Sequence, residues 1–469
     1  MRARALYGAM LLSFLISIPI LLGSIQRVEA NFPTFYIRAD GSVDPPTQLI
    51  QRMGDLYVLT GDIQMKLDND GIIIERDNMI LDGAGYAIYG IELFSHPRGI
   101  YLLGRSNITV RNVRVESFHY GIRISNSSDN SIFKCSLSGN SKGIESLGSS
   151  STRVYGNDVT GNEIGIVIHD SSGNIIEGTV IENNDCGILL IQSSDCTIDQ
   201  NNLIANNQEG IYLSASSRND IARNNITGNW GDGIYLDSSP NNRIPGNTIC
   251  SNMRSGVVLS DGSNSNSIVA NNITSNKECG ISLFGTAGLH GSSNCIISRN
   301  NIVTNGQYGI KLDASSSSNI SKNSIVRNQF GLGFTNSSNN FLYQNNIIDN
   351  KNHVSSILSS NTWDNDARGN YWSKYVGIDR DGNGIADHPY LIDTNNVDNY
   401  PLMNPFMLGD VNHDGKRNIV DINIVAGAFR TVSGDNRWKP EADLDENGSI
   451  NLVDIAIAAK EFGKEWECP

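Results

Sequence analysis

Two columns of residues repeat in step through most of this 469-residue chain, and they constrain its fold more than any other feature. One column is a glycine followed by an aliphatic residue, and the other is an asparagine. Both recur every 22 to 24 residues, with one interval of 29. Two columns with one period indicate stacked, repeated coils. The glycines are Gly99, Gly121, Gly143, Gly165, Gly187, Gly210, Gly233, Gly256, Gly280, Gly309 and Gly331. The asparagines are Asn140, Asn162, Asn184, Asn206, Asn229, Asn252, Asn276, Asn305, Asn328 and Asn350.

Within each repeat the side chains alternate, as in Gly233-Ile234-Tyr235-Leu236. This is strand periodicity, with Ile234 and Leu236 pointing inward and Tyr235 outward. Short strands separated by turn residues, without helical periodicity, predict a mainly β protein with one coil of a parallel β-helix per repeat. We expect the asparagines, one coil apart at about 4.8 Å, to hydrogen-bond to each other in a ladder. The repeat glycines would supply positive φ or a close backbone approach.

The repeats divide the chain into regions. Residues 31–98 are predicted to form an N-terminal cap and the first irregular coils, and residues 99–362 the regular coils. Because open strands at the end of a solenoid are aggregation edges, residues 363–406 are predicted to close the other end. The aromatic residues expected to do so are Trp363, Tyr371, Trp372 and Tyr375.

The first 30 residues have the layout of a secretory signal peptide, with Arg2 and Arg4, an apolar run and a small-residue ending at Ala30. Cleavage there would leave a secreted or cell-surface protein. An uncleaved membrane anchor is the alternative, because the apolar run is long. The net charge of -14 argues against nucleic acid or anionic membranes as partners.

The cysteines do not indicate a disulfide framework. Cys186 and Cys279 occupy equivalent positions four repeats apart, too far for a bond. We expect most cysteines to be buried, small apolar fillers, and without a C-x-x-C pair no zinc or redox site is indicated. The seven are Cys135, Cys186, Cys196, Cys250, Cys279, Cys295 and Cys468.

Residues 70–406 resemble the NosD-type right-handed β-helix family, through the coils and the ending GNYWSKY…DRDGNGIAD…PYLID…DNYPLMNPF. This family is related to carbohydrate-binding and sugar-hydrolase β-helices, so the resemblance implies a polysaccharide ligand or substrate. A copper accessory role has little support, because copper sites need converging His, Cys or Met side chains. Six of the seven histidines lie dispersed in the sequence, at His96, His119, His169, His290, His353 and His388.

Two twelve-residue stretches, DVNHDGKRNIVD at 410–421 and DLDENGSINLVD at 443–454, have the spacing of EF-hand loops. Gly415 and Gly448 stand at position 6, where the turn requires glycine, and all-oxygen ligands in this number suit Ca²⁺. The first set of ligands would be Asp410, Asn412, Asp414, the Lys416 carbonyl, Asn418 and Asp421. The second set would be Asp443, Asp445, Asn447, the Ser449 carbonyl, Asn451 and Asp454.

Each loop is followed by an apolar-periodic segment that predicts a helix, at Ile422–Phe429 and Ile455–Phe462. The duplicated unit over residues 408–463 resembles a type I dockerin, which implies tethering to a cohesin-type protein module. In that family, loop positions 10 and 11 help to select the partner. Here they are the apolar pairs Ile419-Val420 and Leu452-Val453. The alternative is that Ca²⁺ only folds a terminal cap.

A third acidic stretch suggests another calcium site, although Tyr390 stands where the twelfth ligand would be. The alternative is a turn stabilised by its own Asx hydrogen bonds. Its candidate ligands are Asp379, Asp381, Asn383 and Asp387.

Sugar hydrolysis requires two carboxylates at a fixed separation. Glu209 and Asp232 directly precede the repeat glycine in adjacent coils, about 5 Å apart at the backbone, and are the candidate catalytic pair. The alternative is a solvated acidic face on a non-catalytic adhesive or structural solenoid. A polysaccharide lyase is less favoured, because no basic column is evident. The candidate sugar-binding residues are Tyr212, Trp230, Tyr235 and Asp237.

Overall fold

In the computed structural model, residues 32–91, 96–285, 291–445 and 447–465 are described. The predicted signal peptide, His290 and Cys468 lie outside these residues. Over the described ranges, every helix is too short or too polar to cross a lipid bilayer.

The coils stack into three long sheets that enclose one apolar core, as the repeat predicts. Neighbouring coils pair in parallel, and among the described strands of these three sheets the antiparallel pairs lie at the N-terminal end of sheets 1 and 2. Sheet 1 contains Val43–Asp44, Phe35–Ile37, Ile72–Ile74, Arg98–Leu103, Tyr120–Ser125, Lys142–Leu147, Ile164–His169, Cys186–Ile191, Ile211–Ser214, Ile234–Asp237, Val257–Ser260, Ile281–Phe284, Tyr308–Asp313, Phe330–Thr335 and Asn352–Ile357. Sheet 2 contains Ile50–Met53, Leu56–Leu59, Met79–Asp82, Ile108–Arg111, Ser131–Phe133, Arg153–Tyr155, Ile175–Glu177, Thr197–Asp199, Asp220–Ala222, Arg243–Pro245, Ser267–Val269, Ile296–Ser298, Asn319–Ser321 and Phe341–Tyr343. Sheet 3 contains Ile63–Gln64, Ala87–Tyr89, Arg114–Glu116, Ser136–Ser138, Asp158–Thr160, Val180–Glu182, Asn202–Ile204, Asn225–Thr227, Thr248–Cys250, Asn272–Thr274, Asn301–Val303, Ser324–Val326, Asn346–Ile348 and Tyr371–Trp372.

One coil shows how the sequence places its core. Ile234 and Leu236 in sheet 1, Ile244 in sheet 2 and Ile249 in sheet 3 are all fully buried. Tyr235, between the two sheet 1 residues, faces outward and is half-buried. The predicted inward and outward assignment is confirmed, because strand alternation sets it locally.

The asparagine ladder is confirmed as well. The backbone N–H and the Nδ2 of Asn229 both donate to Asn252 Oδ1, at 3.0 and 2.9 Å. Asn229 Oδ1 in turn accepts the same two bonds from Asn206. The sequence analysis missed a second ladder of the same kind, which runs through Asn201, Asn224, Asn247, Asn271, Asn300, Asn323, Asn345 and Asn370.

The repeat glycines are needed for close backbone approach. A Cβ atom on Gly143 would lie 2.5 Å from the carbonyl oxygen of Gly165 in the next coil. The positive φ angles occur instead at residues that precede the ladder asparagines, such as Ala205 (54°) and Ser251 (56°). Glycine therefore stands in that column because no side chain fits.

The six described cysteines are free. Five are buried, and Cys250 is half-buried with its Sγ 2.6 Å from Thr227 Oγ1. Most of them therefore fill small apolar spaces, as expected.

Two tryptophans close the C-terminal end of the core. Trp363 and Trp372 are buried with ring centroids 5.7 Å apart. Their indole N–H groups donate to Asn396 Oδ1 at 3.0 Å and Asp398 Oδ2 at 2.8 Å. Both acceptors come from the hairpin Tyr390–Asp393/Asn396–Asp398. The cap thus satisfies the polar end of each indole while the ring covers the core.

The other two predicted capping aromatics have different places. Tyr375 packs at the edge of the core, and its ring lies 5.5 Å from that of Tyr390. Tyr371 packs on a small separate apolar cluster with Val303, Val326 and Ile348. The cap therefore depends mainly on the tryptophans.

Residues 408–463, called the terminal module below, contain two helices, α1 (Ile419–Gly427) and α2 (Leu452–Glu461). They begin three residues earlier than predicted, because Asn418 and Asn451 at loop position 9 act as N-caps. The remaining elements are the pair Thr431–Val432/Ser449–Ile450 and the 3₁₀ turn Pro440–Ala442. The small core of the module consists of Val411, Val425, Ala428, Ala442, Leu444, Ile450 and Ala458.

The terminal module packs against the side of the last coils. Arg299 Nη2 donates to the Leu444 carbonyl at 3.1 Å, and Arg368 Nη2 lies 3.6 Å from Glu441 Oε1. A cavity of about 400 Å³ lies along this contact. The solenoid contributes cations and the module contributes acids, so the two surfaces are complementary in charge.

Candidate functional sites

The first EF-hand-like loop holds a buried carboxylate that is only half satisfied. Asp410 Oδ2 accepts the Gly415 N–H at 3.0 Å, whereas Asp410 Oδ1 is buried without a hydrogen-bond partner. Burial, with the charges of Asp421 and Asp414, raises the pKa of Asp410 to about 6. A buried oxygen without a donor is costly unless a cation binds it.

The second loop brings three acids together. Asp443, Asp445 and Asp454 each offer a carboxylate oxygen, and these oxygens lie within 4.8 Å of one another. Asp443 Oδ2 accepts the Gly448 N–H at 2.9 Å, the same contact that Asp410 makes in the first loop. Burial raises the pKa of Asp443, as expected for acids gathered without a counter-charge.

The last acid of each loop accepts hydrogen bonds both from the start of the loop and from the residue that caps the following helix. Asp421 Oδ1 accepts the Val411 N–H at 2.7 Å, and its Oδ2 accepts the Asn418 N–H at 2.8 Å. Asp454 makes the equivalent bonds in the second loop. Since Asn418 also caps α1, one capping box positions loop positions 9 and 12 together.

The third acidic stretch has a similar turn. Asp379 Oδ2 accepts the Gly384 N–H at 2.9 Å, and Gly384 has a φ of 83°, close to the 81° of Gly415 and Gly448. The N–H groups of Gly384 and Gly382 lower the pKa of Asp379. Asp387 lies 3.8 Å from the Arg380 guanidinium. Internal Asx hydrogen bonds therefore stabilise this turn.

On the outer face of sheet 1, Asp232 lies at the bottom of a small pocket of about 160 Å³. Asp232 is 1% exposed; its Oδ1 accepts the Ser255 N–H at 2.7 Å, and its Oδ2 lies 3.4 Å from Arg254 Nη1. Burial raises the pKa of Asp232 to about 6, and the Arg254 charge opposes the shift. A carboxyl with this pKa keeps a proton near neutral pH more readily than an exposed one.

The structure places the other predicted sugar-site residues at different distances from this pocket. Tyr235 lines it, and its ring lies edge-on to that of Tyr212, with centroids 5.3 Å apart. Glu209 is half-buried on the preceding coil and is not among the lining residues, and Trp230 is 64% exposed. Asp237 accepts a bond from the Ser238 hydroxyl at 3.1 Å.

Several pocket residues were missed by the sequence analysis. Arg254, Glu278 and Gln307 stand one position before the column of Asp232, and Lys311 stands two positions after the repeat glycine. Each is unremarkable in the sequence, and only their stacking in successive coils brings them together. Arg254, Glu278 and Gln307 all lie two residues before a repeat glycine, and this shared position is the signal that could have identified them.

The structure also brings together two histidines that appear dispersed in the sequence. The rings of His96 and His119 have centroids 4.3 Å apart, and His119 lies 4.4 Å from the Tyr120 ring. Their spacing of one repeat is the signal that the sequence analysis overlooked.

Comparison with known proteins agrees with the coil architecture. Residues 163–282 and 282–377 match the family model of the periplasmic copper-binding protein NosD. Residues 70–219 match the model of the right handed beta helix region. Together with the stacked coils, these matches support a right-handed β-helix family for this chain.

A solved structure with this fold is that of a mutant of the periplasmic alginate epimerase AlgG. The TM-score is 0.50 at 17% identity, over 61% of this β-helix chain and 83% of the epimerase. At this identity the likeness shows the fold alone.

Two curated proteins match a short part of this β-helix chain. They are cellulosomal-scaffolding proteins B and A of Acetivibrio thermocellus, each 35% identical over 63 residues, or 13% of this chain. The match spans 8% of scaffolding protein B and 3% of scaffolding protein A, so it concerns one segment of much longer proteins.

Proposed function

We propose that this β-helix protein is secreted or displayed at the cell surface, where it binds extracellular polysaccharide on sheet 1 and is tethered by a calcium-loaded, dockerin-like module to a cohesin-type partner. The observation that carries the proposal is that carboxylate oxygens in the two loops lack hydrogen-bond donors or lie close to one another. Asp410 Oδ1 is buried without a partner, and the acids of the second loop converge within 4.8 Å. Hard oxygen ligands in this arrangement fit Ca²⁺.

The calcium ions would be held by the side chains at loop positions 1, 3, 5, 9 and 12 and the carbonyl at position 7. Bound Ca²⁺ neutralises acids that otherwise repel each other, and so supplies folding free energy to a module with a small core. The resemblance of residues 408–463 to dockerins and the short match to two scaffolding proteins support the tethering role.

Calcium titration calorimetry tests this part. The wild-type protein is expected to bind one ion per EF-hand-like loop, and Asp410→Asn and Asp443→Asn should each remove one of these events. Glu465→Gln changes an exposed acid outside the loops and serves as the matched control. Unchanged calcium binding in both loop variants would contradict the assignment.

The docking surface would be formed by the exposed apolar pairs at the start of each helix. Ile419 and Leu452 are 57% and 70% exposed, and Val420 and Val453 are about half exposed. These pairs occupy equivalent places in the duplicated unit, so the module offers two similar contact surfaces. Apolar side chains this exposed are candidates for a protein interface.

A pull-down with a panel of cohesin modules tests the tether. The double change Leu452→Ser and Val453→Ser should weaken capture in calcium, whereas Val432→Ser, an exposed valine of the same module, should not. If no cohesin captures the wild-type protein in calcium, the ions serve only to fold a terminal cap.

The polysaccharide would lie along the outer face of sheet 1, with one sugar unit in the Asp232 pocket. The aromatic face of Tyr235 and the polar side chains around Asp232 support this placement. The alginate epimerase shares the fold, which shows that a solenoid of this kind can carry sugar-chain chemistry; the proposal for this chain rests on its own pocket.

Hydrolysis is the second candidate function, and the raised pKa of Asp232 favours it. A protonated Asp232 could protonate the leaving glycosidic oxygen, with Glu209 or Glu278 as the second carboxylate. The pocket contains Glu278, and Glu209 lies on the preceding coil. A lyase reaction would instead use Arg254 or Lys311 as a base.

Product analysis on a panel of polysaccharides tests this function. New reducing ends that disappear in Asp232→Asn would identify a hydrolase, and Glu209→Gln compared with Glu278→Gln would show which acid assists. Unsaturated products would indicate a lyase. Binding without products would leave a non-catalytic adhesive solenoid.

A further inference from the structure

We propose that the sugar unit bound in the Asp232 pocket is acidic, and that Lys311 and Arg254 select it by binding its carboxylate. This inference rests on the proposed polysaccharide binding and specifies the class of sugar. The observation behind it is a partly buried lysine that forms no ion pair with any described residue, in the same pocket as an arginine whose ion pair with Asp232 is long, at 3.4 Å.

The pocket is assembled from four successive coils. Asp232 and Tyr235 come from one coil, Arg254 from the next and Glu278 from the third. Lys311 comes from the fourth. It pairs with Ser282, Ser282 pairs with Val258, and Val258 pairs with Tyr235, so these residues form one column across the four coils. Since coils are about 4.8 Å apart, the backbone positions of the lining residues span roughly 14 Å along the stack.

Lys311 is the residue that decides the charge preference. It is half-buried, and within the described ranges no acid lies close enough to form an ion pair with it; its ammonium lies 5.8 Å from the centre of the Tyr308 ring. The ring contact does not neutralise the charge of this partly buried cation, and a ligand carboxylate would supply the counter-charge.

Arg254 adds a second donor. Its Nη1 lies 3.4 Å from Asp232 Oδ2, beyond the usual charge-assisted hydrogen-bond distance, and its side chain is 53% exposed. The guanidinium is therefore free to turn toward a ligand at the mouth of the pocket. Arginine recognises carboxylates through two parallel N–H groups.

The outward column of sheet 1 localises this charge. In the three coils before the pocket the positions in register with Lys311 are Val167, Leu189 and Tyr212, and none of them is charged. The next two residues along this column, Glu145 and Arg123, form an ion pair with each other at 2.8 Å. The pocket contains two cations, Arg254 and Lys311, and two acids, Asp232 and Glu278, so it offers separate places for a carboxylate and for hydroxyl groups.

The other lining residues suit the rest of a sugar. Glu278 and Gln307 offer polar groups to hydroxyls, and the aromatic side chains of Tyr235 and Phe284 also line the pocket. Polar groups beside aromatic surfaces are the usual composition of a site for a polar ring.

Calorimetric titration of the full chain in calcium, with tri-galacturonate and cellotriose as probes, tests the inference. We expect tri-galacturonate to bind at least about tenfold more tightly, with an affinity that falls as salt rises. Lys311→Gln should remove most of this preference by weakening the binding of tri-galacturonate far more than that of cellotriose. Lys311→Arg should retain the preference, and Lys351→Gln, an exposed lysine near the end of the same sheet, is the matched control.

The outcomes separate the two proposals. Equal binding of both probes, or a preference that survives both Lys311→Gln and Arg254→Gln, would overturn the acidic-sugar inference and leave polysaccharide binding intact. If neither these probes nor a broad glycan panel bind to the folded protein, the sheet 1 proposal and this inference both fail.

Discussion

The cap of the solenoid and the terminal module each bury an aspartate whose pKa is raised to about 6, and they satisfy it in different ways. In the cap, Asp398 Oδ2 accepts the Trp372 indole N–H and the Asn370 N–H, both at 2.8 Å, and Oδ1 accepts the Tyr400 N–H. In the module, Asp410 Oδ1 has no such donor. The cap completes its polar contacts internally, whereas the module leaves one buried carboxylate oxygen for the proposed cation to bind.

This difference extends to the two regions as a whole. The solenoid buries neutral asparagines that hydrogen-bond to asparagines of the next coil, so each coil supplies the hydrogen-bond partners of its neighbour. The module contains two loops of closely spaced aspartates, and their negative charges repel each other when no cation is bound. We therefore expect the solenoid to be stable without metal and the module to depend on it.

The largest expected effect is that of calcium removal. Chelation should abolish hydrogen-exchange protection in α1 and α2 while the coils remain protected, because the two proposed calcium sites lie in the terminal module. Hydrogen exchange with mass spectrometry resolves the two regions. Asp410→Asn should reproduce part of the loss at saturating calcium, and Glu465→Gln should not.

The contact between the regions gives this experiment a second outcome. Arg299 and Arg368 hold the module against the last coils. Simultaneous loss of protection in the module and in the solenoid would show that the two are one cooperative unit, contrary to the expectation.

A smaller effect is expected from breaking the asparagine ladder. Asn229→Ala removes four side-chain hydrogen bonds between coils, which should cost about 4 kcal/mol of local stability. Asn207→Ala removes one exposed bond to Asp185 and should cost less than about 0.5 kcal/mol. Local unfolding free energies from hydrogen exchange compare them; equal costs would mean that the ladder does not stabilise the stack.

The smallest effect concerns the pH response of the cap. Burial raises the folded-state pKa of Asp398 to about 6, above its ordinary value of 3.8, so the folded cap binds the proton more tightly than the unfolded chain. Its stability is then highest below pH 4 and falls as the pH rises toward 6, by at most about 3 kcal/mol.

Asp398→Asn should remove this slope, and Asp366→Asn, an exposed acid of the same cap, should keep it. Tryptophan fluorescence during thermal unfolding between pH 4 and 7 measures the difference between the variants. A slope that is the same in wild type and Asp398→Asn would show that another group sets the pH response.

Local patterns were predictable wherever one coil resembles the next. The inward residues, the asparagine ladder and the capping tryptophans follow from alternation and period, which are properties of the chain itself. The helix starts were predicted three residues late, because the capping role of Asn418 and Asn451 was not considered. Of the candidate catalytic pair, Asp232 lines a pocket that contains Glu278, while Glu209 does not line it.

The sequence alone determined the solenoid, its period and the spacing of the two acidic loops, because each depends on residues close in the chain or one repeat apart. Only the tertiary structure decided which side chains share a pocket. Arg254, Glu278 and Lys311 lie up to 57 residues apart in sequence and meet because stacking reduces each repeat to one inter-strand distance. The same holds for the contact of Arg299 with Leu444, 145 residues away, which no local pattern encodes.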